Sequence, residues 1–325
     1  MRLLLAPMEG VVDFQMRQIL TDIGGLDACV TEFLRICEQR LPRRVFIKLC
    51  PELEQQSKTQ ANTPVAFQLL GGNAEAMAYN AAKAASLGAH SIDLNFGCPA
   101  KTVNRNDGGA KLLQEPQRVH NIVKAVRSAV PRDIDVTAKI RLGFKDRSLG
   151  LDNALAIAEG GAQQLVVHAR SKADGYRPPA YWSELRPLRE QLSIPVIANG
   201  EIWSPEDLRR CAEQSGCVDF MIGRGLLARP DLALQIKNPD QHIPWQWNNI
   251  LPILHSFFKK GLTQYPEKYC GNRLKQWFMY LQRSYPEAEM FFNKLKRLRN
   301  RIEIEDLFIQ QAIAHDINLD YGNDR

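Results

Sequence analysis

The chain has 325 residues, of which 45% are hydrophobic and 24% charged, and its net charge is +6. This length allows one large domain with a smaller one, and the composition excludes extensive disorder. The apolar run from Leu3 to Pro7 is too short for a secretory signal, and no run is long enough to span a membrane. The seven cysteines include no CxxC pair, which fits a reducing compartment and gives no zinc-site spacing. We therefore expect a cytoplasmic protein that contacts no membrane and binds no metal.

Short apolar segments bounded by turn residues alternate with helical patterns from the amino terminus to residue 224. The predicted strands are 3–8, 29–33, 65–70, 91–97, 136–141, 165–170, 195–200 and 220–224. The predicted helices include 74–89, 116–130, 151–162 and 204–216, the last with Ser204 as its N-cap. Eight strand–helix units in about 225 residues favour an α/β fold of the closed (β/α)8 TIM-barrel type. An open doubly wound sheet is the alternative.

This alternation stops in a segment that contains Pro239, Pro244, Trp245 and Pro252. After that segment the apolar pattern is helical only. We therefore predict two domains: a catalytic TIM barrel over residues 1–243 and an all-helical domain over residues 244–325.

Each predicted strand begins apolar and ends in polar or turn-forming residues. In a (β/α)8 barrel the carboxyl ends of the strands carry the chemistry. Several cationic or ionisable side chains would converge there, and such groups repel one another unless they face an anionic ligand. The residues at the strand ends are Pro7, Met8, Glu9, Glu32, Arg35, Gln68, Asn95, Cys98, Lys139, Arg141, His168, Arg170, Asn199, Gly200, Glu201, Gly223 and Arg224.

The ends of the last two predicted strands have the features of a phosphate site. GRGLLA (223–228) matches a dinucleotide fingerprint formally, but it follows the last strand and lacks an acidic ribose partner at clear spacing. Its backbone N–H groups, with Asn199 and Gly200 after the preceding strand, still suit a phosphate. The strand ends show no metal cluster, no paired carboxylates and no GxSxG. Two kinds of chemistry are still compatible with these residues: Schiff-base chemistry through Lys139, or flavin chemistry at Lys139 and His168.

Cys98 lies between glycine and proline in the stretch NFGCPAKTV (95–103), where a predicted strand ends. The pattern alone does not distinguish four roles for this thiol: a nucleophile, a metal ligand, an acid or an inert group. The other six cysteines are assigned to packing.

A basic block between Lys259 and Arg301 carries eleven Lys or Arg against three Glu, a surplus of eight positive charges. Aromatic residues are interleaved with these charges. The pattern suits a polyanion that offers surfaces for stacking, such as RNA. The alternative is a solvated helical face over an aromatic core.

The motifs together resemble the tRNA-dihydrouridine synthases, which are (β/α)8 enzymes that use flavin mononucleotide (FMN) and carry a C-terminal helical domain. Phe96 departs from the family, which has Met or Cys before GCP, and should alter packing beside the flavin. Within the family the resemblance is closest to the bacterial C type, which acts on uridine 16 of the D-loop, and depends partly on Arg35, Tyr176 and residues 273–277. The matching stretches are 6–10, 31–33, 68–71, 93–103, 108–113, 139–143, 166–176, 195–202 and 221–227.

The resemblance implies that the C5=C6 bond of a uridine is reduced, with NADPH as the source of electrons. Hydride passes from the flavin to C6, and Cys98 donates the proton to C5. An unperturbed thiol has a pKa of about 8.5 and is mostly protonated at neutral pH, so it suits this role. The implied FMN-binding residues are Pro7, Met8, Glu9, Gln68, Lys139, His168, Asn199, Gly200, Glu201, Gly223 and Arg224.

The resemblance also implies that tRNA is the partner of a monomeric enzyme. Asn95 is expected at the edge of the uracil, and Arg273 and Lys275 on the RNA backbone. The implied substrate-binding residues are Arg35, Asn95, Lys101, Arg141, Arg170, Tyr176, Arg273 and Lys275. Two alternatives stay open: a flavin reductase of a free pyrimidine or small enone, and a tRNA-binding protein without turnover.

Overall fold

A computed structural model describes residues 1–264, 266 and 269–320 of the chain. Its parallel strands close into a barrel, because the second strand pairs with the strand at 65–70 and the first pairs with the last. The predicted closed barrel is therefore confirmed, and the open sheet is wrong. The strands are β1 (Leu3–Leu5), β2 (Ala28–Val30), β3 (Leu34–Arg35), β4 (Val65–Leu70), β5 (Ser91–Asn95), β6 (Asp135–Gly143), β7 (Gln164–Ser171), β8 (Val196–Asn199) and β9 (Phe220–Ile222).

Eight of these strands form the barrel wall, each at a position predicted from an apolar segment. The two-residue strand β3 follows β2 along the chain and pairs with the end of β4. The wall strands are buried almost throughout, since helices cover their outer faces and side chains fill the interior. One cluster of buried residues joins five strands around the barrel: Leu4, Ala6, Val30, Val166, Ile197 and Met221.

Three of the described barrel helices begin at a polar side chain that caps the first turn. Asp13 and Asn73 accept hydrogen bonds from the first turns of the helices at 14–23 and 74–86. Ser204 caps the helix at 205–215 as predicted, because its Oγ accepts a hydrogen bond of 3.1 Å from the N–H of Asp207. The barrel helices are α1 (Phe14–Ile23), α2 (Arg43–Leu49), α3 (Ala74–Ser86), α4 (Lys101–Arg105), α5 (Pro116–Ala129), α6 (Gly150–Glu159), α7 (Leu185–Gln191) and α8 (Pro205–Ser215).

The chain divides into two compact units, Met1–Gly223 and Arg224–Arg325. The division lies at residue 223, before the predicted boundary at 243. Residues 224–237 form helices of the second unit, and the indole Nε1–H of Trp277 donates to the carbonyl of Leu227 at 3.0 Å. The helices of this unit are α9 (Arg224–Ala228), α10 (Leu232–Lys237), α11 (Trp247–Leu262), α12 (Asn272–Leu281), α13 (Pro286–Leu295) and α14 (Arg301–His315).

Aromatic side chains form the core of the helical unit. Phe278 stacks on Phe291 with ring centroids 4.9 Å apart, and Trp277 meets Phe257 edge to face at 5.2 Å. These four rings are buried and do not offer stacking surfaces, whereas Tyr269 is exposed. Tyr265, Glu267 and Lys268 of that block lie outside the described residues.

The described part of the chain offers neither a membrane-spanning helix nor a metal cluster. None of the described helices has both the length and the apolar character needed to cross a bilayer. Across residues 1–264, 266 and 269–320, no group of three or more His, Cys, Asp or Glu has the geometry of a metal site.

Candidate active site

The residues predicted at the strand ends of the first unit meet at one mouth of the barrel, because all its strands are parallel. The thiol of Cys98 is half-buried there. Burial raises the pKa of Cys98, and the neighbouring Glu9 raises it further, while the N–H of Ala100 and the cation of Arg141 oppose the shift. The thiol is therefore protonated at neutral pH and suits an acid better than a nucleophile.

The backbone of Cys98 is held on both sides. Its N–H donates to Oδ1 of Asn95 at 3.0 Å, and its carbonyl accepts from the N–H of Ala110 at 3.1 Å and from Nδ2 of Asn104 at 3.0 Å. Gly109 sits against this peptide, since a Cβ there would lie 2.8 Å from the Cys98 carbonyl oxygen. The Cys98 peptide is thus held in place ahead of the helix α4, several of whose residues are exposed.

A chain of buried polar side chains runs from the barrel interior to Cys98. Thr137 Oγ1 donates to Oδ1 of Asp93 at 2.6 Å, and Gln68 Nε2 donates to Oδ2 of Asp93 at 2.7 Å. Asn95 Nδ2 then donates to Oε1 of Gln68 at 2.8 Å. The strand register brings these residues side by side, since Asp93 is paired with both Gln68 and Thr137.

Lys139 is a half-buried cation on the wall of the site. Burial and the nearby Arg141 cation lower the pKa of Lys139 to about 8. Its Nζ donates to Oδ1 of Asn199 at 2.9 Å, and Asn199 Nδ2 donates to the carbonyl of Met221 at 2.7 Å. An anionic group bound beside Lys139 would stabilise this cation.

His168 and Gly200 form a close-packed corner after β7 and β8. Gly200 has φ +113°, and a Cβ on it would lie 2.5 Å from Cδ2 of His168. Tyr176 covers the other side, with its ring centroid 6.0 Å from the His168 ring. Arg141 lies over Tyr176 at 5.1 Å and donates from Nε to the carbonyl of Gly97 at 2.9 Å. Arg141 therefore links the Cys98 turn to the loop that carries Tyr176.

Arg170 does not face the mouth as a free cation. Its side chain has no exposed surface, and its guanidinium forms an ion pair with Glu201. Nε donates to the carbonyl of Arg177 at 2.8 Å, and Trp203 Nε1 donates to the second carboxylate oxygen of Glu201 at 2.9 Å. The predicted contact between Arg170 and tRNA stays a prediction, and in this structure the guanidinium is buried and paired with Glu201. Arg170 and Glu201 instead hold the loops after β7 and β8.

The first strand contributes Pro7, Met8 and Glu9. A Cβ on Gly223 would lie 3.4 Å from Sδ of Met8, so these two predicted residues are neighbours. Partial burial and the nearby Glu32 carboxylate raise the pKa of Glu9 to about 7. Glu32 accepts a hydrogen bond from the N–H of Gly10, which fixes the loop after β1.

The remaining predicted residues lie on the rim or in the second unit. Arg35 is half-buried in β3, and Lys101 is exposed at the start of α4. In the helical unit, Arg224 is the first residue of α9. Arg273 donates to Oε1 of Gln276, and Lys275 donates to the carbonyl of Leu298.

Sequence reasoning missed Asp93 and Thr137, which tie Gln68 to the interior, and Trp203, which supports Glu201. The sequence signal that could have identified Asp93 and Thr137 is the alternation of side chains between the two faces of a strand. Asp93 is two residues before Asn95 and Thr137 two residues before Lys139, so each shares a face with a predicted site residue. Polar residues on the inward face of a barrel strand need partners inside the barrel.

Comparisons with known proteins place this geometry in a family. A family model described as "Dihydrouridine synthase (Dus)" matches residues 4–317. The chain is 51% identical to a tRNA-dihydrouridine(16) synthase of Shewanella oneidensis, over 97% of this chain and 99% of the relative. It is 50% identical to a protein of the same name from Pseudomonas putida, over 91% of this chain and 93% of the relative.

Solved structures of lower identity share the fold. A histamine dehydrogenase from Rhizobium sp. 4-9 superposes with a TM-score of 0.55 at 16% identity, covering 73% of this chain and 46% of that one. A 2-naphthoyl-CoA reductase superposes with a TM-score of 0.57 at 10% identity, covering 73% and 50%. The chain thus spans about half the length of these two proteins, and the likeness concerns the barrel fold alone.

The family match confirms both the resemblance seen in the motifs and the predicted class of enzyme, an oxidoreductase. It extends over almost the whole chain, and the relatives of about 50% identity are matched nearly from end to end. The chain belongs to the dihydrouridine synthase family.

Proposed function

We propose that the protein is an FMN-dependent tRNA-dihydrouridine synthase that reduces the C5=C6 bond of uridine 16 in the D-loop of tRNA, with NADPH as reductant. The observation that carries this proposal is a protonated, half-buried thiol, Cys98, at the same barrel mouth as the half-buried cation Lys139. The relatives from Shewanella oneidensis and Pseudomonas putida, both named for position 16, support the choice of substrate. We expect the enzyme to act as a monomer in the cytoplasm.

The residues at the mouth fit a flavin. Lys139 is a half-buried cation with a lowered pKa, which an anionic ring edge would stabilise. Gly200, with φ +113°, lets the loop after β8 pack directly against the His168 ring, which any side chain at position 200 would displace. When bound, reduced FMN supplies the hydride that reaches C6 of the uracil. The residues expected to hold it in the first unit are Pro7, Met8, Glu9, Gln68, Lys139, His168, Asn199, Gly200, Glu201 and Gly223. Arg224, the first residue of the second unit, stays a predicted FMN contact.

Cys98 supplies the proton to C5. Because burial raises its pKa, the thiol is protonated at neutral pH and can donate its proton during the reaction. Arg141, whose guanidinium lies near Cys98, would stabilise the thiolate that remains until solvent returns a proton. Asn95 holds the backbone N–H of Cys98, so it orients the donor in addition to any contact with the base.

The tRNA reaches this mouth by turning a uridine out of its stack, which costs a few kcal/mol at most for a weakly paired loop base. Arg35, Lys101 and Tyr176 are available near the mouth to contact the extruded nucleotide and its neighbours. Arg273 and Lys275 on α12 are proposed to bind the RNA backbone. Arg141 is buried and engaged with three carbonyl groups, so we assign it to the Cys98 turn.

The test compares Cys98→Ala with Cys37→Ala, since Cys37 is an exposed thiol that lies outside the proposed chemistry. Cys98→Ala should keep bound flavin and lose at least about 99% of dihydrouridine formation in tRNA, because general-acid catalysis contributes roughly a hundredfold or more. Cys37→Ala should be as active as the parent. An unchanged rate for Cys98→Ala would remove the acid assignment.

Two further outcomes separate the alternatives. Turnover of uridine monophosphate as fast as of tRNA would favour a reductase of small pyrimidines. Colourless protein that binds tRNA without reducing it would favour an RNA-binding protein. Dihydrouridine is mapped by mass spectrometry of tRNA from cells with and without the gene, and a product at a position other than 16 would correct the site.

A further inference from the structure

Cys98 is held by a chain of three side chains whose hydrogen bonds all point in one direction. The backbone N–H groups of Gly97 and Cys98 lie 2.9 Å and 3.0 Å from one atom of the Asn95 amide. A backbone N–H only donates, so this atom must be Oδ1. Nδ2 of Asn95 therefore faces Gln68 and donates to it at 2.8 Å.

The same reasoning fixes the next amide. The atom of Gln68 that meets Asn95 must accept, so it is Oε1, and Nε2 lies on the far side. Nε2 donates to Asp93 at 2.7 Å. The oxygen of Asp93 that faces Gln68 must consequently accept. Burial raises the pKa of Asp93, and a proton on its other oxygen would leave this acceptor in place. Its second oxygen accepts from Thr137 at 2.6 Å.

All residues of this hydrogen-bonded series are buried, so an amide group in the wrong orientation would destabilise the folded protein. The exposed fractions are 0% for Gln68, 2% for Asp93 and 9% for Asn95. Two acceptors or two donors facing each other at such positions leave an unsatisfied group without water to relieve it.

We propose that Asp93 is a positioning residue that acts on Cys98 through Gln68 and Asn95. Its carboxylate is the terminal acceptor that sets the direction of both amides, so that the Asn95 oxygen stays on the N–H groups of Gly97 and Cys98. This inference rests on the proposed function only in giving Cys98 its role as proton donor. The hydrogen-bond chain itself does not depend on that role.

The test reverses the direction of the chain. In Asn95→Asp, two acceptor-only groups face the single amide of Gln68, so one contact must fail. In the double variant Asp93→Asn with Asn95→Asp, the new asparagine donates to Oε1 of Gln68, whose Nε2 donates to the new aspartate. That aspartate still accepts from Gly97 and Cys98, and the total charge equals that of the parent.

The measurement is amide hydrogen exchange at Gly97 and Cys98 in the full-length protein, with amides of α8 as internal reference. In Asn95→Asp one carboxylate oxygen still accepts from Gly97 and Cys98, but the other faces Oε1 of Gln68, which destabilises the closed turn. We therefore expect local opening, and with it exchange at Gly97 and Cys98, to be about tenfold faster than in the parent. The double variant should return to within about threefold of the parent. If Asn95→Asp does not fold and the double variant does, that rescue supports the same conclusion.

A second pair of variants controls for a general effect of burying a charge. Asn80 is a fully buried asparagine on α3 whose Oδ1 accepts from the N–H of Leu41. Asp93→Asn should not rescue Asn80→Asp, because Asn80 is not part of the hydrogen-bonded series that contains Asp93.

Two results would overturn the assignment: exchange in Asn95→Asp equal to that of the parent, or a double variant at least as fast as Asn95→Asp alone. Flavin content and dihydrouridine formation are measured separately on the parent protein. A parent without either would refute the proposed function and leave the exchange result valid.

Discussion

Replacing Gly200 by alanine tests whether the loop after β8 is built around the His168 ring. Gly200 has φ +113°, where alanine is strained, and its new Cβ would lie 2.5 Å from Cδ2 and 2.9 Å from Nε2 of His168. The ring has little room to withdraw, because it is 6% exposed and Tyr176 lies on it. The variant must therefore bear both backbone strain and overpacking.

Gly175→Ala is the matched control, because Gly175 also has positive φ, +62°, but nothing lies within 4 Å of the position that a Cβ on it would take. The control bears backbone strain alone, about 1–2 kcal/mol. Overpacking adds about 2 kcal/mol in Gly200→Ala. For a unit the size of the barrel, each kcal/mol lowers Tm by roughly 2–4 °C, so Gly200→Ala should melt about 4–8 °C below the control.

The assay is thermal unfolding of both variants followed by circular dichroism, with bound flavin measured on the same samples. We expect Gly200→Ala to lose flavin as well, since the shifted ring would enter the proposed cofactor site. Equal melting temperatures for the two alanine variants would refute the packing argument. Normal flavin content in Gly200→Ala would remove His168 from the cofactor site.

Three other changes follow from the charges of the structure. Glu201→Gln leaves the buried Arg170 without its carboxylate and should destabilise the barrel by about 3–5 kcal/mol in urea unfolding, and a loss below about 1 kcal/mol would contradict it. Because the pKa of Glu9 is raised to about 7 in the folded protein, its contribution to stability is present below the ordinary carboxyl pKa and lost as pH rises through 7. Glu9→Gln should therefore gain stability relative to the parent above pH 7 but not at pH 4, and a difference independent of pH would contradict this sign. Arg273→Glu should weaken tRNA binding and reduce its salt dependence. Arg209→Glu, which reverses the charge of an exposed side chain on α8, should do neither. Equal tRNA binding by both variants would remove Arg273 from the interface.

The barrel was predictable because each wall strand is an apolar segment that ends at turn residues. The segment 65–70 became β4 with the same limits, and 116–130 became α5 within one residue of its end. Helix caps are local as well, and Ser204 was recognised for that reason. The boundary between the two units was less predictable, because the prolines near residue 244 mark a change of pattern, whereas the division depends on what α9 packs against.

Some residues of the candidate site were likewise predictable from the sequence, and others were not. Cys98 and Lys139 were found because residue type and position at a strand end indicate chemistry. The fate of Arg170 was hidden, since nothing in its neighbourhood along the chain shows that Glu201 would neutralise it. Asp93 was hidden too, because its partners Gln68 and Thr137 come from two other strands.

The sequence by itself determined the closed barrel, the helical C-terminal part and the group of residues at the mouth, because apolar periodicity and turn residues are local properties of the chain. Only the tertiary structure decided which polar groups are free for a ligand and which are used to hold the loops. That distinction depends on burial and on hydrogen bonds between residues far apart in sequence, and each buried polar group must find its partner there.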